Sequence, residues 1–407
     1  MITRIKIKRY KILKDIDIKL RPFQILVGPN GCGKSTALDA FEFLADLVKD
    51  DLNKTIEKRA YSLQDLIWNR KLEKFDIEIE AKIPEDIRKR EKSACKKLKY
   101  TLTVGFNRGK VASILKESLI ALPSENAKER EIFKREGDLL LFHSKFLRKR
   151  FKGSPAEFRI IPQSERSKAI FSYITNSIII RLLDYSFPTW WFGSFISSDI
   201  TKLHLNPEAM KKPCPPGQPK DFLPDGSNIA RVIKDFEKEN RERFRQWLEH
   251  LKIIIPEIQR IDIKERPEDR SSVLYLKYPN VTVPSWNISD GTLRAMALTL
   301  IPYLAASEKG DKEQSSKIIL IDEPENGVHP KILEGIYQSL SSAYNWQIIC
   351  ATHSPIFLAF AEPKDLLCMN RDSEGAATII PGDKHFALKK WKKDMNIGML
   401  LAAGILE

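Results

Sequence analysis

Apolar and polar residues alternate with a period of two over residues 2–20, at Ile5 and Ile7 and then at Ile16, Ile18 and Leu20. This predicts two short strands, ended by Pro22. Phe23–Val27 is largely apolar with little alternation, the pattern of a strand buried on both faces. It runs through GPNGCGKST into a helical pattern over Ala37–Val48. Alternation returns in Phe75–Ile83, in Leu98–Phe106 and around Val111–Leu122, and a turn at Glu136-Gly137-Asp138 separates two further short runs. Together these predict an antiparallel meander, interrupted by a highly charged stretch, Pro84–Lys99, that reads as a solvated helix or loop. Residues 206–226 are rich in Pro and Gly and read as a loop. Asn228–Ile253 reads as one helix whose apolar face is Ile229, Val232, Ile233, Phe236, Phe244, Trp247, Leu248 and Leu251. Then come a strand at Val273–Tyr278, a helix from Thr292, a polar loop at Ser307–Ser316, a strand at Lys317–Ile321, a helix from Pro330 and a strand at Gln347–Ala351. No repeat and no sustained heptad is present, which argues against a long coiled-coil arm.

A length of 407 residues fits one large or two medium domains. At 42% hydrophobic and 30% charged residues the chain can bury a core, which excludes wholesale disorder. The net charge of +14 predicts attraction to polyanions. Lys and Arg concentrate in Arg88–Lys99, Lys145–Lys152 and Lys389–Lys393. Cys32, Cys95, Cys214, Cys350 and Cys368 form no C-x-x-C pair, so neither a zinc knuckle nor a disulfide framework is indicated and a reducing cytoplasm fits. The N-terminus lacks a signal-peptide apolar stretch. The longest apolar runs, near Ile178–Leu183 and Ala295–Ala306, are too short or too interrupted to span a bilayer. A soluble cytoplasmic protein without membrane association is the expectation.

Gly28-Pro29-Asn30-Gly31-Cys32-Gly33-Lys34-Ser35 satisfies G-x-x-x-x-G-K-[ST], and Thr36 follows directly. The glycines let backbone N–H groups curl around a phosphate. Lys34 would reach the outer phosphates, and Ser35 would ligate Mg²⁺. The next helix directs its positive end at the same anion. Lys317–Pro324 (KIILIDEP) is an apolar strand ending in two acids, of which Asp322 would hold Mg²⁺ and Glu323 would orient the attacking water. The following strand ends in Thr352-His353-Ser354-Pro355, and as a parallel neighbour it would bring His353 to the γ-phosphate. Upstream, Ser289-Asp290-Gly291-Thr292-Leu293-Arg294 opens a helix. Ser, Asp and Gly there are good capping residues. The same helix start, with a Ser hydroxyl and a Gly N–H, is also a second phosphate-binding site. Because the chain already has one P-loop, this second site would serve the ATP of another subunit.

In this order the P-loop, S-D-G-T-L-R, I-D-E-P-E-N-G-x-H-P and T-H-S-P resemble the ABC-type ATPases that include SMC, RecF and OLD proteins. They are most similar to the stand-alone, AAA-labelled prokaryotic ATPases of antiphage defence. The loop Leu205–Asn228 also resembles this subgroup. Asp290 and Thr292 stand where the transporter signature L-S-G-G-Q has Gly and Gln, which disfavours a membrane transporter. For the family's glutamine that senses Mg²⁺ and water, Gln64 and Gln163 are both candidates. The resemblance implies an α/β fold: an ABC-type P-loop ATPase head with an antiparallel β-meander and a largely helical lid insertion. The implied divisions are 1–83 as the N-terminal ATPase lobe with the P-loop, 84–250 as meander continuation and lid, and 251–407 as the C-terminal lobe with signature, acidic strand and switch histidine. It further implies ATP hydrolysis with Mg²⁺ and a homodimer or higher oligomer sandwiching ATP head to tail. The partners implied are nucleic acid and a separate effector nuclease. The alternatives are a RecF-like repair ATPase and a low-turnover ATP-dependent binding switch. The residues after His353 are too few for the Toprim nuclease domain of OLD proteins, and no H-N-H constellation is present. Asp15-Ile16-Asp17 reads as the solvent face of a strand. The tail, HFALKKWKKDMNIGMLLAAGILE, reads as a terminal helix packed on the chain's own core or, alternatively, as a docking helix for a partner.

Overall fold

A computed structural model of the chain describes residues 1–90, 95–123, 129–142, 156–159, 167–172, 187–305, 317–389 and 396–405. An eight-stranded sheet carries the N-terminal strands and the meander. Its order is β2 (Leu13–Lys19), β1 (Ile2–Tyr10), β4 (Lys74–Lys82), β5 (Cys95–Phe106), β6 (Ala112–Pro123), β7 (Arg130–Glu136), β8 (Leu139–Phe142) and β9 (Ala156–Arg159), every neighbour antiparallel. The alternation seen in the sequence becomes two faces, with Ile5, Ile7, Ile16 and Ile18 buried while Asp15 and Asp17 face solvent.

A six-stranded sheet holds the motifs. Its order is β10 (Ile200–Leu203), β14 (Ile318–Asp322), β15 (Gln347–Thr352), β3 (Phe23–Val27), β16 (Leu366–Arg371) and β17 (Ala377–Pro381), parallel throughout except for the β16–β17 hairpin. Strands from the first and last thirds of the chain thus share one layer. Gln347, 1% exposed, fastens that layer to the other sheet: its Oε1 accepts from Ile2 N at 2.9 Å, and its Nε2 donates to Ile2 O at 2.8 Å and to Arg21 O at 3.0 Å. A third sheet of β11 (Arg260–Glu265), β12 (Ser272–Lys277) and β13 (Thr282–Pro284) lies just before the signature helix.

Successive residues on a strand point to opposite sides, and the central sheet accordingly separates two cores. Leu26, Leu320, Ile349, Ala351 and Met369 pack with the P-loop helix, Lys34–Lys49, and the meander. Ile25, Val27, Ile319, Ile321, Ile348 and Cys350 pack with the helices Ile229–Glu239, Arg241–Ile254, Asp290–Ala305 and Leu333–Ser341. The P-loop helix and the signature helix therefore flank opposite faces of one sheet.

Several expectations shift. The helix expected over Asn228–Ile253 breaks at Asn240, which leaves helical geometry (φ −138°, ψ 60°); both halves still bury their apolar stripe, and Trp247 Nε1 donates to Thr299 Oγ1 at 3.1 Å. The charged stretch Pro84–Lys99 is divided between a short helix, Glu85–Arg90, and the start of β5. Lys97 and Lys99 tolerate the sheet because their ammonium groups reach acidic partners, Lys97 pairing diagonally with Glu80 at 3.3 Å and Lys99 with Glu129 at 3.7 Å. Pro330 opens a 3₁₀ turn, and the α-helix begins at Leu333. In the tail, Ile397–Ala402 is helical, with Ile397 and Leu401 buried in the chain's own core. The loop Ser307–Ser316, the basic run Lys145–Lys152 and Gln163 lie outside the described residues. No helix among the described residues is long and apolar enough to cross a membrane. All five cysteines are free thiols.

Within the meander, Glu117 (0% exposed) is enclosed by Tyr100 Oη at 2.9 Å, Ile170 N at 3.0 Å and the Arg135 guanidinium at 3.8 Å. Burial, opposed by Arg135, pushes its carboxyl up to about 7.

Candidate functional site

Parallel strands end on one edge of a sheet, where open α/β folds bind ligands. Val27, Asp322, Thr352 and Arg371 are the last residues of four such strands here. From Val27 the chain enters the P-loop. At Gly28 (φ 154°) an added Cβ would fall 2.1 Å from Met369 O, and at Gly33 (φ 106°) it would fall 2.8 Å from Ile12 Cδ1. Only glycine fits either place, so the loop is drawn tight enough for its N–H groups to face an anion. Lys34, 8% exposed, extends back along the loop, its Nζ donating to Gly28 O at 2.8 Å and Pro29 O at 3.0 Å. A buried cation is thereby fixed inside the curl. Ser35 is exposed and Thr36 half-buried on the helix's first turn, Asn30 and Gly31 form the exposed apex, and Cys32 is buried beneath. This tight, cation-bearing cradle fits a polyphosphate.

Beside it, a cleft of about 530 Å³ is lined by Lys11, Ile12, Thr36, Trp68, Asn69 and Arg70, among others. Gln64 lies near this cleft, but its amide is committed to the Arg70 and Leu72 carbonyls. Arg371 reaches over the apex of the P-loop, its Nε donating to Gly31 O at 2.8 Å.

Asp322 ends β14 opposite Ala351, and Glu323 N donates to Ala351 O at 2.8 Å. Glu323 holds φ at +54°, a left-handed conformation that a side chain disfavours. Such strain costs on the order of 1–3 kcal/mol and clusters at functional sites. It turns the carboxylate toward the neighbouring strand end, where His353 Nδ1 lies 3.2 Å from Glu323 Oε1. Glu325, three-residue neighbour of Asp322, sits behind this pair and accepts from Thr352 Oγ1 at 2.6 Å and His353 N at 3.3 Å.

Ser289 caps the signature helix: Leu293 N donates to Ser289 O at 3.1 Å and Thr292 N to Ser289 Oγ at 3.2 Å. Ser289 and Asp290 are exposed, and Asp290 pairs with Lys211 at 2.7 Å. Gly291 is packed tightly, since a Cβ there would fall 2.8 Å from Gly327 O in the turn after β14. The structure thus brings the P-loop, Asp322, Glu323 and His353 to one sheet edge. It places Ser289, Asp290 and Gly291 on a helix of the other face. Glu325, Thr352 and Arg371 were not singled out from the sequence. Glu325 and Thr352 lay within recognised motif runs, whereas Arg371 carried no signal.

Residues 23–359 match the AAA_21 family, described as "AAA domain, putative AbiEii toxin, Type IV TA system". The Old nuclease of Escherichia phage P2 is 35% identical over 89 residues, 21% of this chain and 15% of that protein. The OLD nuclease of Thermus scotoductus is 43% identical over 44 residues, 11% of this chain and 8% of that one. These matches thus span less than a sixth of either relative. Among solved structures, an SMC head bound to the C-terminal winged-helix domain of ScpA superposes with a TM-score of 0.54 at 17% identity, over 93% of this chain and 96% of that one. The fold is therefore shared with SMC heads. A family match over most of the chain settles membership: the protein is a P-loop ATPase of the AAA_21 family, with the fold of an SMC head.

Proposed function

We propose that the protein hydrolyses ATP between two copies of itself and uses that cycle to control a separate effector, in antiphage defence. The P-loop from Gly28 to Thr36 would wrap the phosphates, with Lys34 as their fixed cation. Ser35 and Asp322 would hold Mg²⁺, which neutralises phosphate charge. Glu323 would accept a proton from the attacking water and His353, 3.2 Å from it, would hold its carboxylate in place. Ser289, Asp290 and Gly291 would complete the site of the other copy. The observation that carries this reading is the sheet itself. The P-loop helix belongs to one of its faces and the signature helix to the other. The exposed Ser289 hydroxyl is thus presented away from the chain's own P-loop, as a composite site between copies requires.

In this reading residues 1–83 and 251–407 form the ATPase head and the lid lies within 84–250, a span that also lends the head β10 and the helices Ile229–Glu239 and Arg241–Ile254. The net charge of +14 supports nucleic acid as the sensed or processed polymer. The partial likeness to proteins named OLD nucleases supports a nuclease as the effector. Five free thiols fit a reducing cytoplasm. The test is the mass of Glu323→Gln by light scattering. With ATP and Mg²⁺ it should be a dimer that reverts to monomer when Lys34→Ala is added. A Glu323→Gln protein whose mass is the same with and without ATP would contradict the reading.

A further inference from the structure

The turn after β14 folds back on itself, with Asn326 N donating to Glu323 O at 3.0 Å and Val328 N to Glu325 O at 3.1 Å. This sends the Glu325 side chain, 11% exposed, beneath the end of β15. Its Oε1 accepts from the Thr352 hydroxyl at 2.6 Å and from His353 N at 3.3 Å, and His353 Nδ1 stands 3.9 Å away. Thr352, fully buried, passes the contact on: its Oγ1 accepts from Ser354 N at 3.0 Å, and Ser354 Oγ caps the next helical turn through Phe357 N at 3.3 Å. The other carboxylate oxygen, Oε2, is buried with no hydrogen-bond partner. Leaving a buried acceptor unmade is unfavourable, and in a native fold it asks for a reason. Burial, with a smaller contribution from the Glu325 charge, also pushes the neighbouring Cys350 thiol well above its ordinary range, so it stays neutral beside the carboxylate.

We infer that Glu325 is a positioning residue for hydrolysis: its carboxylate clamps the Thr352–His353 turn so that His353 is held against Glu323. The inference rests on the roles proposed for Glu323 and His353. Two strand ends, β14 and β15, must stay in register for that pair to meet, and their backbone contact ends with Asp322 opposite Ala351 and the bond from Glu323 N to Ala351 O, leaving the Thr352–His353 turn beyond it. Glu325 supplies the next link. It acts through His353 and touches no reacting atom.

The experiment is a double-mutant cycle on the full chain, reading single-turnover ATP hydrolysis and ATP affinity separately. Glu325→Ala should lower the hydrolytic rate about 10- to 100-fold, the scale of a small misplacement at a reacting centre, with ATP affinity unchanged. Glu325→Gln keeps an acceptor for Thr352 and His353 N and should recover most of the rate. In a His353→Ala background, Glu325→Ala should change the rate less than about threefold, because its only route is gone. Multiplying effects, or an unchanged rate in Glu325→Ala, would overturn the inference. Should Glu325→Ala not fold, Thr352→Val removes the hydroxyl at constant shape and should show the same loss and the same non-additivity; a Thr352→Val rate equal to the parent's overturns it. Glu323→Gln separates the two levels. If it hydrolyses normally, the underlying reading fails. If it is slow while the Glu325 and His353 effects multiply, only this inference fails.

Discussion

Glu323 combines a proposed catalytic carboxylate with a left-handed backbone, and the two properties separate under substitution. Replacing it with glycine or alanine removes the carboxylate in both cases, so both variants should lose about 10²–10⁴ in hydrolytic rate, the usual worth of a positioned general base. Their stabilities should differ in an unusual direction. Alanine ordinarily exceeds glycine by about 0.5–1 kcal/mol, because glycine gives up more chain entropy on folding. At φ +54° the order inverts. A β-carbon in the left-handed region costs roughly 1–2 kcal/mol, and glycine is spared that. Loss of the half-exposed contact to His353 is common to both variants and cancels. The balance favours Glu323→Gly over Glu323→Ala by about 0.5–1 kcal/mol. Thermal unfolding of the two proteins side by side, without nucleotide, should place glycine above alanine. A higher midpoint for alanine would refute the strained turn, and a rate within threefold of the parent's in either variant would refute the general-base role.

Gly28→Ala would set a β-carbon 2.1 Å from Met369 O, so it should abolish nucleotide binding in a filter or fluorescence assay even where the protein still folds. For Glu117 the folded-state carboxyl lies near 7, above its ordinary value of 4.5. The native state therefore holds more protons than the unfolded one between those limits, and stability should fall as pH rises through that window, by at most about 3 kcal/mol. Glu117→Gln should flatten the decline in a pH series of denaturation midpoints, and an unchanged decline would contradict the assignment. Reversal of Arg148, Lys149 and Arg150 to Glu should lower DNA affinity without changing basal ATP hydrolysis. On duplex DNA, log affinity against log salt should follow about −0.9 per phosphate contacted, and the variant's slope should be shallower. Absence of DNA and RNA binding by the parent at low salt, with and without a non-hydrolysable ATP analogue, would remove nucleic acid from the account.

The meander was legible because each strand buries one face, so that Ile5, Ile7, Ile77 and Ile79 announce both strand and side. The P-loop strand was legible for the opposite reason, since Phe23–Val27 is buried on both faces and shows no alternation. Which parallel strands adjoin was carried only by motif order, because β3, β14 and β15 lie far apart in sequence and meet through tertiary packing. Helical periodicity continued through Asn240, and the break there is a backbone event that apolar spacing does not record. Charge misled at Lys97 and Lys99, where ion pairs to Glu80 and Glu129 let lysines stand in a sheet. Glu325 was hidden in a run of acids, where nothing in the order of residues says which carboxylate turns inward. Arg371 reaches the P-loop only because β16 pairs with β3.

The central claim is that one copy's signature serves the other copy's P-loop. Mixing two inactive proteins, Ser289→Arg and Lys34→Ala, tests it most directly. Each homodimer lacks either both signatures or both P-loop lysines. The heterodimer pairs one intact P-loop with one intact signature. Steady-state phosphate release should be near background for each protein alone. In an equimolar mixture about half the dimers are mixed and each carries one working site, so about a quarter of the parent's rate should return. Recovery is the result the account predicts. A mixture as inactive as its components, or a Ser289→Arg protein that hydrolyses ATP normally as a monomer, would contradict it.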